Sequence, residues 1–119
     1  MAYYLEATGG APTERAEIRF TPDGWVDVLV GTQSTGQGHE TAYAQIVADR
    51  LGLPLDSIRV VQGDTDAVPF GRGTSGSRSM SIGGNALALA AERVRDKARK
   101  IAAHLLEAAE RDLELDAGR

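Results

Sequence analysis

Two long polar stretches, residues 31–38 and 63–84, are rich in glycine, serine and threonine and constrain this 119-residue chain more than any other feature. Such runs are poor candidates for strand or helix interiors, because glycine there loses backbone entropy and packs nothing. The apolar runs between them must therefore supply the whole core. Residues 3–7 are aromatic and apolar and are expected to form a strand, starting so abruptly that the chain reads as a piece of something longer. Residues 16–21 alternate apolar and polar, the period of a half-buried strand. Pro22-Asp23-Gly24 has turn chemistry, and residues 25–30 resume a strand, so the two runs predict a β-hairpin. A helix is expected from His39 to Leu51, with Ala42, Tyr43, Ile46, Val47 and Leu51 on one face and Gly52 as its stop. Residues 57–61 predict another strand.

The second polar stretch should end in a long helix over about residues 81–111. Val94, Ala98, Ile101 and Leu105 would form its inward stripe, and the mixed charges of residues 93–100 its wet face, paired four residues apart. Leu113-Glu114-Leu115 would begin a last strand. The fold class expected is α+β: a mixed or antiparallel sheet with two helices, one long, packed on one face.

Composition narrows the functional classes. The formal net charge is −4 and no basic stripe stands out, which argues against a nucleic-acid partner. There is no cysteine, so the chain can form no disulfide and can supply no thiolate to zinc or an iron–sulfur cluster. No apolar run approaches the ~18 residues of a membrane span, and the N-terminus lacks the pattern of a signal peptide. A cytoplasmic location is expected.

Both polar stretches share one design, a glycine-rich loop feeding a helix start. Helix starts carry unpaired N–H groups and the positive end of the helix dipole. Glycine lets a ligand come close to the backbone, and hydroxyls add donors, so each loop can cradle an anion. Arg72 and Arg78 could add charge-assisted bonds to a phosphate. Neither loop ends in the glycine-lysine-serine/threonine of a nucleotide-triphosphate loop. A lone loop of this kind is more often a polar connector. Two in one small domain favour a ligand site, in an enzyme or in a stand-alone module that binds a nucleotide or phosphorylated ligand without chemistry. A scaffold domain with loops disordered in isolation is a third possibility.

His39 could be read as a metal ligand. Asp64 and Asp66 could hold a divalent metal, although a tight turn is the commoner use of such aspartates. His104 reads as a structural or surface residue. Trp25 reads as an aromatic of the core or the sheet surface.

The run Gly31-Thr32-Gln33-Ser34-Thr35-Gly36-Gln37-Gly38-His39-Glu40-Thr41 resembles the cofactor loop of molybdenum hydroxylase large subunits, the xanthine oxidase and aldehyde oxidase family. So do Gln62-Gly63-Asp64-Thr65-Asp66 and Gly73-Thr74-Ser75-Gly76-Ser77-Arg78-Ser79, in the same order and spacing. The resemblance is nearest to the carbon monoxide dehydrogenase large-subunit branch. It runs along essentially the whole chain, including Lys97-Ala98-Arg99-Lys100-Ile101-Ala102-Ala103-His104-Leu105-Leu106.

This resemblance implies that residues 1–119 are a fragment of the molybdenum-cofactor-binding domain of a larger subunit. That subunit would be a molybdenum-dependent oxidoreductase, oxidising carbon monoxide or hydroxylating an aldehyde, purine or other heterocycle with oxygen from water. It implies molybdopterin with molybdenum, often extended as a cytosine dinucleotide, and iron–sulfur and flavin subunits or domains as partners. Gln37, Gly38, His39 and Thr41 would contact the cofactor from one side, and Thr74, Ser75, Gly76, Ser77 and Ser79 from the other. The metal takes its sulfur ligands from the pterin, so no side chain here is expected to ligate it. The catalytic glutamate motif of the family and the cysteine of its carbon monoxide dehydrogenases have no counterpart in this sequence. The fragment alone is accordingly expected to lack cofactor and turnover, and to self-associate through uncovered apolar surface.

Overall fold

The computed structural model describes residues 1–115. Strand β1 (Ala16–Phe20) and strand β2 (Val26–Val30) form the expected antiparallel hairpin, with Ala16 opposite Val30 and Phe20 opposite Val26. The turn closes through Thr21, whose backbone N–H and hydroxyl both donate to the Trp25 carbonyl. Helix α1 (His39–Leu51) then crosses over to strand β3 (Ile58–Val61), which lies parallel to β2. A parallel neighbour cannot be reached by a tight turn, and here the crossover is the helix. The sheet is mixed, in the order β1-β2-β3.

The chain next runs through a long loop into a π-helical segment, Ser79–Gly84, continuous with helix α2 (Asn85–Leu106). Helix α1 packs over β3, α2 over β1, and the helices on each other. Val26, Val28 and Val30 alternate onto one face of the central strand and meet Tyr43, Val47 and Leu51 of α1 and Leu87 and Ala91 of α2. This is the expected α+β architecture. The close fit of α2 against α1 depends on Gly83 and Gly84: a Cβ on Gly83 would stand 3.0 Å from the Tyr43 hydroxyl, and one on Gly84 3.3 Å from Ile46 Cδ1.

Several expectations are corrected. Residues 3–7 form no strand; Tyr3, Tyr4 and Leu5 are exposed, and no strand pairs with them. The long helix starts in π form at Ser79 and stops at Leu106 rather than Arg111. Glu107 takes a left-handed backbone (φ 53°), and the Ala108 N–H turns back to the Ala103 carbonyl. The stripe of Val94, Ala98, Ile101 and Leu105 does not face inward: Val94 is half-buried, and the other three are exposed, Leu105 at 73%. The three-stranded sheet is too short to cover a helix of this length. Among the described residues no ion pair links two members of 93–100; Glu92 just before them instead reaches across to Arg50 of α1, at 2.6 Å. Leu113–Leu115 follow a short 3₁₀ turn (Glu110–Asp112) and are not strand, and any continuation past Leu115 lies outside the described residues.

Candidate functional site

The two glycine-rich loops meet where α1 and the π-helical segment both begin. Gly38 caps α1 with a left-handed backbone (φ 77°), a conformation that glycine adopts without strain, and no side chain caps the helix start. The loops are tied to each other directly. Thr74 donates its hydroxyl to the Gln33 carbonyl at 2.7 Å and accepts the Gln33 N–H at 3.1 Å, and the Gly73 N–H donates to the Gly31 carbonyl at 3.0 Å. The backbones of Gly31 and Gly71 touch so closely that a Cβ on either would collide with the other.

Beside this junction opens a cleft of about 460 Å³. It is lined by Gln37 and His39 from the first loop, residues 74–80 from the second, and Glu6. Seven of the nine residues that the sequence singles out therefore share one cleft: Gln37, His39, Thr74, Ser75, Gly76, Ser77 and Ser79. Gly38 sits just behind as the helix cap. Thr41 is exposed and does not line the cleft.

Each side chain has a local anchor. Gln37 folds back onto its own loop, accepting from the Thr35 N–H and hydroxyl and donating to the Gln33 carbonyl. His39 is buried, its ring 5.0 Å from that of Tyr43 and its Nδ1 3.2 Å from Gln62 Oε1. This is packing at a helix start, and no cluster of metal-ligating side chains occurs among the described residues. Ser79 shares a hydrogen bond with Thr74, hydroxyl to hydroxyl, at 3.1 Å. Ser77 adopts a left-handed backbone (φ 50°), rare for a residue with a side chain, and donates its hydroxyl to Glu6 at 2.6 Å.

The cleft is suited to an electron-rich polar ligand. Among the described residues, the backbone N–H groups of Ser75, Gly76, Ser77, Ser79 and Met80 have no hydrogen-bond acceptor. Ser75, Ser77 and Met80 are exposed and Gly76 is half-buried, so these N–H groups are open to solvent and free to donate to a ligand that enters the cleft. Hydroxyls and the Gln37 amide add groups that both donate and accept. This donor set fits the pterin edge and phosphates of the cofactor that the resemblance implies.

Nearby ionisation is also tuned. The Glu40 carboxylate is held below the usual range, chiefly by its own backbone N–H at the helix start and then by Ser34 and Gln62. Burial raises the Tyr43 phenol above its ordinary value, only partly opposed by its hydrogen bonds to Thr32 and Ser79.

Arg78 departs from expectation. It is no phosphate ligand: its side chain is fully enclosed, 2.8 Å from Glu14, and it donates to three backbone carbonyls. Arg72 is exposed and outside the cleft. The turn reading of Asp64 holds, because one of its carboxylate oxygens accepts the N–H groups of Asp66 and Ala67. His104 is exposed, and Trp25 lies on the sheet surface under the Arg59 guanidinium. Sequence reasoning missed Glu6 and Glu14, which lie outside both loops, and the hydroxyl of Tyr43, hidden in an otherwise apolar helix face.

Comparison with known proteins identifies the family. The family model of the molybdopterin cofactor-binding domain matches residues 1–119. The carbon monoxide dehydrogenase large chain of Afipia carboxidovorans is 45% identical across the whole of this chain, which corresponds to 16% of that protein. The Hydrogenophaga pseudoflava large chain is 50% identical over 89% of this chain and 13% of its own length. Crystalline Cu,Mo-CO dehydrogenase superposes with a TM-score of 0.83 at 52% identity, over 88% of this chain and 13% of that one. Quinoline 2-oxidoreductase from Pseudomonas putida 86 does so with 0.76 at 40% identity, again over 88% and 13%. The chain thus spans about an eighth to a sixth of the length of these relatives. With the family model matched from end to end and the two loops converging on one donor-lined cleft, the chain belongs to the molybdopterin cofactor-binding domain family of xanthine oxidase and carbon monoxide dehydrogenase large subunits.

Proposed function

We propose that residues 1–119 are one part of the cofactor-binding domain of a larger molybdenum-dependent oxidoreductase subunit, and that the cleft between the two loops holds the pterin and its phosphates. The main support is the row of unpaired N–H groups at residues 75–77 and 79–80, set opposite Gln37 and the start of α1. Helix starts and such N–H rows stabilise anions. Gln37 would meet a pterin edge and Gly38 and His39 would offer backbone N–H groups. Thr41 would hydrogen-bond beside the same helix start. Thr74, Ser75, Gly76, Ser77 and Ser79 would close on the cofactor from the other side. When bound, the cofactor supplies the redox chemistry, and the protein binds and orients it.

The pterin is proposed to carry a cytosine dinucleotide, and iron–sulfur and flavin subunits or domains to take the electrons. The substrate is an aldehyde, a purine or another heterocycle, or carbon monoxide. The range of relatives supports this breadth: they include the nicotine 6-hydroxylase large subunit of Paenarthrobacter nicotinovorans and an Escherichia coli xanthine dehydrogenase molybdenum-binding subunit. No residue here supplies the catalytic glutamate motif, so this segment alone is proposed to be inactive. A cytoplasmic location is proposed; no helix among the described residues is long and apolar enough to cross a membrane.

The test is molybdenum by elemental analysis, together with fluorescence of oxidised pterin, on the full-length protein co-expressed with its neighbouring subunits. Stoichiometric metal and pterin, lost in Gln37→Leu and Ser77→Leu, are expected. Neither metal nor pterin in a well-folded protein, from a host that makes the cofactor, would overturn the proposal in favour of a phosphate-ligand module.

A further inference from the structure

Glu14 and Arg78 form a fully enclosed ion pair, each with a side-chain exposure of 0%. Arg78 borders the cleft, but its guanidinium is taken up by Glu14 and three backbone carbonyls, and Glu14 does not line the cleft. Glu14 lies outside both glycine-rich loops, 64 residues before its partner. One of its oxygens accepts Arg78 Nη1 at 2.8 Å and the backbone N–H of Arg72 at 3.4 Å. The other lies so close to Gly31 that a Cβ there would collide with it. This single carboxylate therefore touches the first residue of one loop and two residues of the other.

Arg78 completes the arrangement. Nη1 donates to the carbonyl of Gly73, Nη2 to Thr13 at 2.7 Å and Nε to Ala11 at 3.1 Å. Bonding to Gly73 closes residues 73–78 into a ring with the guanidinium at its base. On the rim stand Ser75, Gly76 and Ser77, whose N–H groups are unpaired among the described residues. Bonding to residues 11 and 13 holds the N-terminal segment against the loop, where the Gly10 N–H donates to the Gly76 carbonyl and the Gly9 N–H to that of Ser77. Ser77 keeps a left-handed backbone, a conformation that persists only where the surroundings over-determine it.

Burying a charge pair is costly, and apolar residues of similar volume often serve stability as well or better. A pair retained at this cost, at the base of a loop whose rim faces a cleft, is explained by what it fixes. We propose that Glu14 and Arg78 are positioning residues that preset residues 74–79 for the cofactor. The inference rests on the cofactor reading above and deepens it: these two residues touch no cofactor themselves but hold the donors that do.

The test uses the full-length protein, co-expressed with its neighbouring subunits in a host that makes the cofactor. The principal variant is the double substitution Glu14→Leu/Arg78→Met, which replaces the pair by apolar volume. A purely structural pair predicts that restored packing also restores cofactor. A positioning pair predicts wild-type-like melting but a pterin and molybdenum content lower by about tenfold or more, as when the groups that orient a metal's ligands are lost. Hydrogen exchange at the Gly10 and Gly73 amides of cofactor-free protein provides a second readout, expected to quicken by about tenfold or more if about 1.4 kcal/mol of loop order is lost.

Should the double variant fail to fold, Glu14→Gln and Arg78→Lys are compared with Leu51→Ala, a core truncation at the far end of α1. Arg78→Lys keeps the charge but not the fork of donors. At matched loss of melting temperature, the two pair variants are expected to lose cofactor and Leu51→Ala to keep it. Equal cofactor in the pair variants and their controls, with unchanged exchange, overturns the positioning role alone. Absence of cofactor from the wild-type protein overturns the parent reading and this inference with it.

Discussion

The hydroxyl of Tyr43 donates to the carbonyl of Ser79 at 2.9 Å, and its single proton is thereby committed, so the hydroxyl of Thr32 must donate to Tyr43 across the 3.0 Å between them. This chain joins the end of β2, the first turns of α1 and the π-helical start of the second long helix. Both glycine-rich loops are anchored on it. Tyr43→Phe leaves the buried Ser79 carbonyl and Thr32 hydroxyl without this partner, which costs about 1–3 kcal/mol. Chemical denaturation of this chain and its variant measures the loss.

The same phenol sets an alkaline limit on stability. Burial raises its pKa in the folded state above the ordinary 10.0. As pH rises past about 10, the unfolded chain releases this proton first and binds fewer protons than the folded one, so stability falls. The contribution is complete below the unfolded pKa and disappears through the folded one. Denaturation midpoints from pH 8 upward should drop less steeply for Tyr43→Phe than for the wild type. Parallel curves would show that Tyr43 contributes nothing to this limit.

At the acid side Glu40 acts in the opposite sense. Its folded pKa is lowered by its own N–H and by Ser34 and Gln62. Its stabilisation is present above the ordinary carboxylate value of 4.5 and fades as pH falls through the lowered one. Glu40→Gln should flatten the acid limb of the stability profile between about pH 5 and 3. Two-dimensional NMR titration of the Glu40 carboxyl carbon checks the direction independently.

Gly31→Ala tests the contact between the loops. The added methyl meets Gly71, the Phe70 carbonyl and the Glu14 carboxylate at distances no side chain tolerates, and backbone is among the blocking atoms. A loss of about 1–3 kcal/mol is expected from overpacking, with cofactor content falling alongside it in the full-length protein. Gly24→Ala serves as the control for backbone freedom, because its Cβ would meet nothing although its φ is 88°.

The outer half of α2 makes a contrasting prediction. Ile101 and Leu105 are about half and three-quarters exposed. Ile101→Gln and Leu105→Gln should therefore change the stability of this chain by less than about 0.5 kcal/mol. The isolated chain is proposed to self-associate through this uncovered stripe, and light scattering should show the double variant shifted towards monomer. A wild-type chain that is strictly monomeric at high concentration overturns the association.

Local signals were legible where one residue carries its own physical consequence. Gly52 ends α1 with φ 67° because glycine accepts that geometry, and Pro22-Asp23-Gly24 turns the hairpin for related reasons. The convergence of Gln37 with Ser77 was legible only through the resemblance, since no local rule brings residues 40 apart into one cleft. Burial was harder to read. Periodicity placed Leu105 on an apolar stripe, but periodicity does not say whether anything lies beneath it. Residues 3–7 have strand composition and no strand to pair with. Arg78 was read as a phosphate ligand because a cation in a glycine-rich loop usually faces outward; its partner Glu14 carries no signal in the neighbouring residues. The left-handed stop at Glu107 has no glycine to announce it.

The π-helical segment at Ser79–Gly84 has a consequence for the registry of everything after it. A π turn accommodates one more residue than an α turn, and each residue of an α-helix advances about 100° around the axis. Deleting one residue between Ser79 and Gly84 would let the turn relax to α form and swing the following helix by roughly that angle. Leu87 and Ala91 would rotate off the sheet, and Ala88 and Glu92 would rotate onto it. The extra residue therefore acts as a phase shifter: it lets one continuous helix offer backbone donors to the cleft at its start and a correctly aimed apolar face to the sheet two turns later.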